Sequence, residues 1–377
     1  MNKTITLLIV AMGLWICSCV EPFNLNIAST LKILTVDATL TDTADEQSIL
    51  LTETVNSNNS AYSRPLLKAT AELLVNGTEK ISFIEKGSGV YALPKTFKLK
   101  AGSGYKLFFS KSDGTKYQSG EDKLTTVPEI TGVRDEFKVK GIEKGNFYDP
   151  ASYVYLDTQD PAADKNSYLW SWKLWERQSV CATCYNGRYF LTPLPARCRE
   201  ERAFAEATFD YFCEGECWEI IPSTELNVFS DIYSNGNPIT NRLIAKIPYY
   251  NVKGALIEIK QQSISPEAYR YFKLLADQVQ NNGSLVDTPP AAIIGNIKNV
   301  ANAEESVAGF FMVTSVRTVR YWIDRKSAFD KGVSPIGLLD HPLSVEPAGS
   351  DTTRPPFAQC VSSLSRTPSK PQGWVNN

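Results

Sequence analysis

The sequence contains very little histidine. His341, immediately before Pro342, is the single histidine among 377 residues. A hydrolase that uses an imidazole base, or a histidine-rich metal site, would have to depend on this one side chain. Motifs of serine hydrolases, zinc proteases and phosphate-binding loops are also absent. We therefore predict a non-enzymatic protein that needs no cofactor and no metal. A carboxylate-based hydrolase is the enzymatic alternative, because paired carboxylates work without histidine.

The chain also lacks an excess of either charge and lacks a long apolar run. It has 39 Lys and Arg against 41 Asp and Glu, so no basic surface is available for nucleic acid. The N-terminal apolar stretch covers about twelve residues, whereas a membrane-spanning helix needs about twenty. With 43% apolar and 21% charged residues, the composition is that of a globular protein.

The N-terminus has the layout of a bacterial lipoprotein export signal. A lysine near the start precedes the apolar stretch, and a small serine precedes Cys19. We predict that residues 1–18 are removed and that Cys19 becomes the lipidated first residue. Cys17 is the poorer acceptor because the bulky Ile16 precedes it. Two acyl chains on Cys19 would give lasting attachment to a membrane.

Six further cysteines are present, and five of them lie between residues 181 and 217. They are Cys181, Cys184, Cys198, Cys213, Cys217 and Cys360. An even number in an exported chain indicates disulfides. The short spacings of the first two and of Cys213 and Cys217 also suit zinc. Because thiols outside the cytosol are usually oxidised, we favour disulfides, and the spacing leaves their connectivity open.

Strand signals dominate the first part of the chain after the signal. Residues 34–40 alternate between apolar and polar, which is the period of a half-buried strand. Asn76-Gly77 and Asp113-Gly114 each follow an alternating segment and indicate hairpin turns. About seven short strands in roughly a hundred residues predict an all-β fold that begins with an immunoglobulin-like or transthyretin-like sandwich.

A domain boundary is expected near Pro128, where proline removes a hydrogen-bond donor from a strand ladder. Beyond it, Ser265 and Pro266 begin one clear helix that Gly283 would end. The predicted order is a removed signal at 1–18, a tether at 19–29, a sandwich at 30–127, and a β-rich second domain at 128–377 with a cysteine-rich insertion at 181–217 and an irregular C-terminal tail.

Two groups of residues are candidate ligand sites. Three aromatic side chains share one face of a predicted strand, and a fourth lies close by; they are Tyr168, Trp170, Trp172 and Trp175. Exposed, such a row could stack on sugar rings, although burial in a core is the commoner fate. Three aspartates, Asp157, Asp160 and Asp164, could bind calcium. We favour a solvated turn there, because their spacing lacks the ligand pattern of an EF-hand.

Several short segments, taken in order, resemble one family. They are Cys19-Val20-Glu21-Pro22, Gly104-Tyr105-Lys106-Leu107, Thr126-Val127-Pro128-Glu129-Ile130, Pro289-Pro290, Gly295-Asn296-Ile297, Gly309-Phe310-Phe311, Ser365-Arg366-Thr367 and Lys370-Pro371-Gln372-Gly373-Trp374. This pattern resembles domain of unknown function 4249, a family of Bacteroidota outer-membrane lipoproteins. The resemblance covers nearly all of the chain after the signal.

The resemblance implies an outer-membrane location, an immunoglobulin-like first domain and a role beside a TonB-dependent transporter. It brings no catalytic residues. We therefore predict a lipid-anchored accessory or binding protein, on either the periplasmic or the surface side, with a glycan or peptide as a possible ligand. The alternative is capture of surface glycans through the aromatic residues. Cys360 has no second cysteine beside it, so we expect its partner within 181–217.

Overall fold

The structure is a computed structural model that describes residues 32–57, 60–192, 194–280, 293–337, 344–347 and 357–375. Strands make up most of these residues, and two α-helices and one 3-10 turn accompany them. This confirms the all-β prediction. The predictions for Cys19, Gly283 and His341 fall outside the described residues.

The first unit consists of two sheets that pack face to face. The six-stranded sheet has the order β22 (Val307–Thr314), β1 (Ile33–Thr41), β2 (Ser48–Ser57), β7 (Val90–Ala92) and β6 (Ile84–Gly87), with β3 (Ser60–Pro65) also on β2. The five-stranded sheet has the order β21 (Ile297–Asn299), β9 (Lys116–Lys123), β8 (Gly104–Ser110), β4 (Thr70–Val75) and β5 (Glu79–Ser82). Their alternating apolar residues, such as Leu51 and Leu107, form one shared core.

Both predicted hairpin turns are confirmed. Asn76 and Gly77 connect β4 to β5 with φ angles of 48° and 72°, the left-handed conformation that such turns require. Gly114 connects β8 to β9 with φ of 87°, and the Thr115 N–H donates to Asp113 Oδ1 at 2.9 Å. The register of both strand pairs is therefore set locally by the turn residues.

The two-sheet unit is not confined to residues 30–127, the predicted limits of the first domain, because it also contains a late part of the chain. Strand β22 pairs in parallel with β1, from Leu34 opposite Val307 to Thr41 opposite Thr314. Strand β21 extends the other sheet beside β9. A parallel pair needs a long crossover rather than a tight turn, so no local signal announces it.

The second unit is built on two further sheets. One has the order β10 (Ile130–Lys144), β11 (Phe147–Gln159) and β19 (Pro238–Pro248). The other has the order β23 (Val316–Ile323), β20 (Ala255–Ile264), β12 (Ser167–Arg177), β17 (Trp218–Pro222) and β25 (Arg366–Thr367), with β18 (Asn227–Ser230) also on β12. Val154, Ile247 and Ile257 are among the buried residues of the core that joins them.

The cysteine-rich insertion forms two small sheets. One sheet consists of β13 (Val180–Tyr185), β16 (Thr208–Glu214) and, from the C-terminal tail, β24 (Ala358–Gln359). The other pairs β14 (Gly187–Phe190) with β15 (Arg197–Glu200). A 3-10 turn (Arg202–Phe204) lies between β15 and β16. All six cysteines are paired, as Cys181–Cys213, Cys184–Cys198 and Cys217–Cys360, with Cα separations of 4.7, 5.3 and 5.8 Å. The structure thus has the disulfides that we favoured over zinc, and the partner of Cys360 lies in the predicted block.

Two helices complete the described structure. Helix α1 (Pro266–Gln280) begins as predicted, because the Ala268 N–H donates to Ser265 Oγ at 3.3 Å. Its buried Ala268 packs in a small core that also contains Leu169 of the second unit and Phe310 of the first. Helix α2 (Lys326–Asp330) follows β23. Neither helix has the length and apolarity that a membrane crossing by the described residues would require.

Candidate functional site

A cavity of about 540 Å³ lies between helix α1 and the edge of the five-stranded sheet. Four parts of the chain line it. They are Gln118–Gly120 of β9, the α1 residues Glu267, Arg270, Tyr271 and Leu274, and the segment Ile294–Asn296 with Lys298, together with Phe310 of β22. The volume is within the range of small-ligand sites.

Asn296 holds one wall of this cavity in place. Its Nδ2 donates to the Phe311 carbonyl at 2.7 Å, and its Oδ1 accepts from the Phe311 N–H at 2.8 Å. The Asn296 carbonyl accepts from the Gly120 N–H at 2.8 Å. One asparagine therefore joins β9 to β22, and these three hydrogen bonds hold the wall in a fixed position.

Two glycines allow the backbone to approach closely at this wall. A Cβ on Gly295 would lie 1.8 Å from the Gly309 carbonyl oxygen. A Cβ on Gly309 would lie 1.9 Å from the Val36 carbonyl oxygen, and Gly309 has φ of +102°. Neither position has room for a side chain, so glycine is required at both.

The floor of the cavity is aromatic. The rings of Tyr271 and Phe310 have centroids 4.9 Å apart, and Phe272 contacts both from the same helix. Burial raises the pKa of Tyr271, although the Gly309 N–H that donates to its hydroxyl acts in the opposite direction. The floor therefore presents an apolar surface with a neutral phenol at neutral pH.

The rim of the cavity is charged and exposed. Arg270 Nη2 lies 3.9 Å from Glu267 Oε1, which is a loose pair between two exposed side chains. Such pairs contribute little to stability, so both groups can turn toward a ligand. Lys298 is exposed on the opposite wall. An aromatic floor under a mixed charged rim suits an amphipathic ligand that carries at least one anionic group.

A buried carboxyl connects the cavity to the rest of the first unit. Asp122 of β9 is 4% exposed, and its Oδ2 accepts from the Val313 N–H at 2.8 Å. Burial raises the pKa of Asp122, and hydrogen bonds from Val313 and from Ser265 limit the rise. Since Ser265 is the N-cap of α1, Asp122 joins the helix that lines the cavity to β9 and β22.

The aromatic residues of β12 lie in the core, which is the commoner fate expected of them from the sequence, and this corrects the alternative of an exposed glycan-binding row. Tyr168, Trp170 and Trp175 are 0%, 1% and 7% exposed, and Trp172 is half-buried. The first two and Trp172 do share a face of β12, but that face covers the core of the second unit. Trp175 packs on the other face, so β12 is covered on both sides.

The three aspartates that were weighed as a calcium site, Asp157, Asp160 and Asp164, do not act together. Asp157 accepts from the Asn241 N–H at 2.6 Å, and Asp164 is exposed. Asp160 turns inward and is 2% exposed. The solvated turn that we favoured describes Asp164, but it does not describe Asp160, which faces Asp231 from a distant part of the chain.

Sequence patterns did not point to the cavity, because four separate segments form it. A local signal existed in Gly295-Asn296, which was one of the segments shared with the resembled family. By their positions in the sequence, Arg270 and Glu267 belong to the exposed face of a helix. No local sequence pattern shows that β9 lies opposite them. The cavity is therefore a property of the tertiary structure.

The fold and the cavity define an all-β protein of two interleaved units, with a ligand-sized cavity beside the helix that lies between them. Its family is shown by the sequence model of Domain of unknown function (DUF4249), which matches residues 20–320. The chain belongs to this family, and the resemblance is confirmed to that extent. No curated protein and no solved structure matches the chain.

Proposed function

We propose that this protein is a lipid-anchored binding protein of the outer membrane that serves as an accessory to a TonB-dependent transporter. In this proposal Cys19 carries the lipid, and the cavity beside α1 receives a ligand or a segment of the transporter. The observation that supports it most is the cavity itself, with its rigid Asn296 wall, aromatic floor and exposed charges. The paired cysteines fit an oxidising compartment.

The lining favours binding over catalysis. Glu267 is the single carboxylate among the described residues that line the cavity. A hydrolase based on carboxylates needs two of them about 5–10 Å apart. The buried Asp160 and Asp231 are a pair, but both are closed off from solvent and lie outside this cavity. A non-enzymatic role is therefore our proposal.

Crosslinking in native membranes, followed by purification through this protein, tests the proposal. We expect repeated recovery of one TonB-dependent transporter. Arg270→Ala combined with Lys298→Ala should reduce recovery by about fivefold, which corresponds to the loss of about 1 kcal/mol of contact energy. Both side chains are exposed, so the variant should fold.

The matched control is Lys95→Ala combined with Lys98→Ala, two exposed lysines of the first unit that do not line the cavity. This control should recover the transporter as well as the unmodified protein does. Recovery of the unmodified protein alone would contradict the association with a transporter. Equal recovery with both double variants would instead contradict the role of the cavity.

A further inference from the structure

Two loops of the second unit bring a pair of carboxyl groups together inside the protein. Asp160 follows β11, and Asp231 follows β18. Asp160 accepts from the Tyr168 hydroxyl and, through Oδ2, from the Gly236 N–H at 2.7 Å. Asp231 Oδ2 accepts from the Asn166 N–H at 2.8 Å. Each loop thus donates one backbone N–H to the aspartate of the other.

This pair is deeply buried and has no oppositely charged partner among the described residues. Asp160 and Asp231 are 2% and 0% exposed. Neither takes part in an ion pair with a described lysine or arginine. Burial, and then the facing Asp160, raise the pKa of Asp231. Two buried carboxyl groups that face each other require either a proton or a cation between them.

One oxygen of the pair has no donor in the fold. Asp231 Oδ1 is buried and accepts no hydrogen bond from an N–H or O–H group of the described residues, and the Asp231 carboxyl faces the carboxyl of Asp160. Asp160 uses both of its oxygens, and Asp231 uses its other oxygen, for the contacts between the loops. A buried oxygen without a donor is costly, so either a proton shared with Asp160 or a bound cation is needed to satisfy it.

We propose that Asp160 and Asp231 bind a divalent cation that prefers oxygen ligands, with calcium as the expected ion. Asp231 Oδ1 would be a direct ligand, and the Asp160 carboxylate would supply a second. Backbone carbonyls of the two loops and water would complete the six to eight oxygens that calcium takes. The ion would clamp the 160–166 loop to the 231–237 loop, and this role is independent of the function proposed above.

Terbium luminescence provides a direct test on the full-length protein. Tyr168 donates to Asp160, and the Trp170 ring lies 5.7 Å from the Tyr168 ring, so both would excite a bound Tb³⁺. We expect sensitised emission that Ca²⁺ removes with a dissociation constant on the order of 0.1–1 mM. Calcium in excess should also raise the unfolding temperature by about 2–4 °C relative to EDTA.

Asp231→Asn should abolish both responses while it keeps the acceptor for the Asn166 N–H. Asp164→Asn, a change at an exposed residue of the same loop, should leave both responses intact. Emission and calcium stabilisation that persist in Asp231→Asn would overturn the proposal. So would an unmodified protein without either response, which would mean that a shared proton balances the pair. This second result decides the matter even if Asp231→Asn fails to fold.

Discussion

Arg325 and Glu176 form an ion pair that lies almost entirely inside the second unit, with side chains 2% and 0% exposed. Arg325 also donates to the carbonyls of Asn251 and Lys253 at 2.9 and 3.1 Å. It precedes helix α2 and has φ of 58°. One guanidinium therefore joins the start of α2 and a loop to strand β12.

Loss of Glu176 should destabilise the protein strongly. In Glu176→Gln the guanidinium keeps its carbonyl contacts but loses its counter-charge while buried, and we expect a cost of about 3–5 kcal/mol. Urea unfolding gives the value. Glu216→Gln removes the exposed partner of Arg177 and is the control, with an expected cost below about 1 kcal/mol. Similar costs for the two variants would contradict the importance of burial.

The Cys217–Cys360 disulfide should hold the C-terminal tail. It closes a separation of 143 residues, and its removal as Cys217→Ser with Cys360→Ser should cost about 2–5 kcal/mol. The tail would then depend on two short strands and on Trp374, which packs against Trp218 and Trp322.

Limited trypsin digestion measures this effect. In the variant without Cys217–Cys360, cleavage after Arg366, which Thr367 follows, should become faster. The control replaces Cys184 and Cys198, whose bridge spans 14 residues and does not involve the tail. If both variants lose the tail at the same rate, the disulfide is not what protects it.

Asp122 should make stability depend on pH. Burial raises its pKa, so the folded protein favours the protonated carboxyl. The stability that this protonated group contributes is fully present below the pKa of the unfolded state, about 3.9, and is lost as pH rises through the higher pKa of the folded state. Asp122→Asn keeps an acceptor for the Val313 N–H. Between about pH 4 and pH 7 the variant should become increasingly more stable than the unmodified protein. The difference in the free energy of unfolding should reach about 1.4 kcal/mol for each unit by which folding raises the Asp122 pKa.

The measurement is the urea midpoint of both proteins across that pH range. Asp164→Asn changes an exposed carboxyl and should follow the unmodified protein. Parallel pH profiles for Asp122→Asn and the unmodified protein would show that the Asp122 carboxyl does not cause the dependence.

Cys19 should carry the lipid anchor. We expect mass spectrometry of the mature N-terminus to find a diacylated Cys19, and Cys19→Ser to release the protein from the membrane fraction because the acyl chains are lost. Cys17→Ser should remain membrane-bound and is the matched control. An uncleaved Met1, or a free Val20 at the N-terminus, would contradict the prediction.

Much of the first unit could be predicted from short segments. The alternation in β1 and β4, the Asn76-Gly77 turn and the Ser265 cap each act over a few residues, so the local pattern is sufficient. The presence of β22 beside β1 could not be predicted in this way. The two strands pair in parallel, and the rest of the first unit and most of the second lie between them in the chain. Neither strand carries a mark of its partner.

The residues of β12 show a second limit of prediction from sequence patterns. Their spacing correctly placed Tyr168, Trp170 and Trp172 on one face, because side chains alternate along any strand. Whether that face meets solvent depends on what covers it. Ile247 and Ile257 from distant strands lie in the same core as Tyr168 and Trp170, and this packing, which no local pattern records, makes the aromatic row internal.

The sequence by itself determined the all-β class, the turns, the start of α1 and the even set of six cysteines, because these depend on local conformational preferences and on composition. The tertiary structure alone decided the disulfide partners, the placement of β21 and β22 in the sheets of the first unit, the cavity beside α1 and the meeting of Asp160 with Asp231. Each of these joins residues far apart in the chain, and burial of apolar surface in three dimensions determines which distant segments meet.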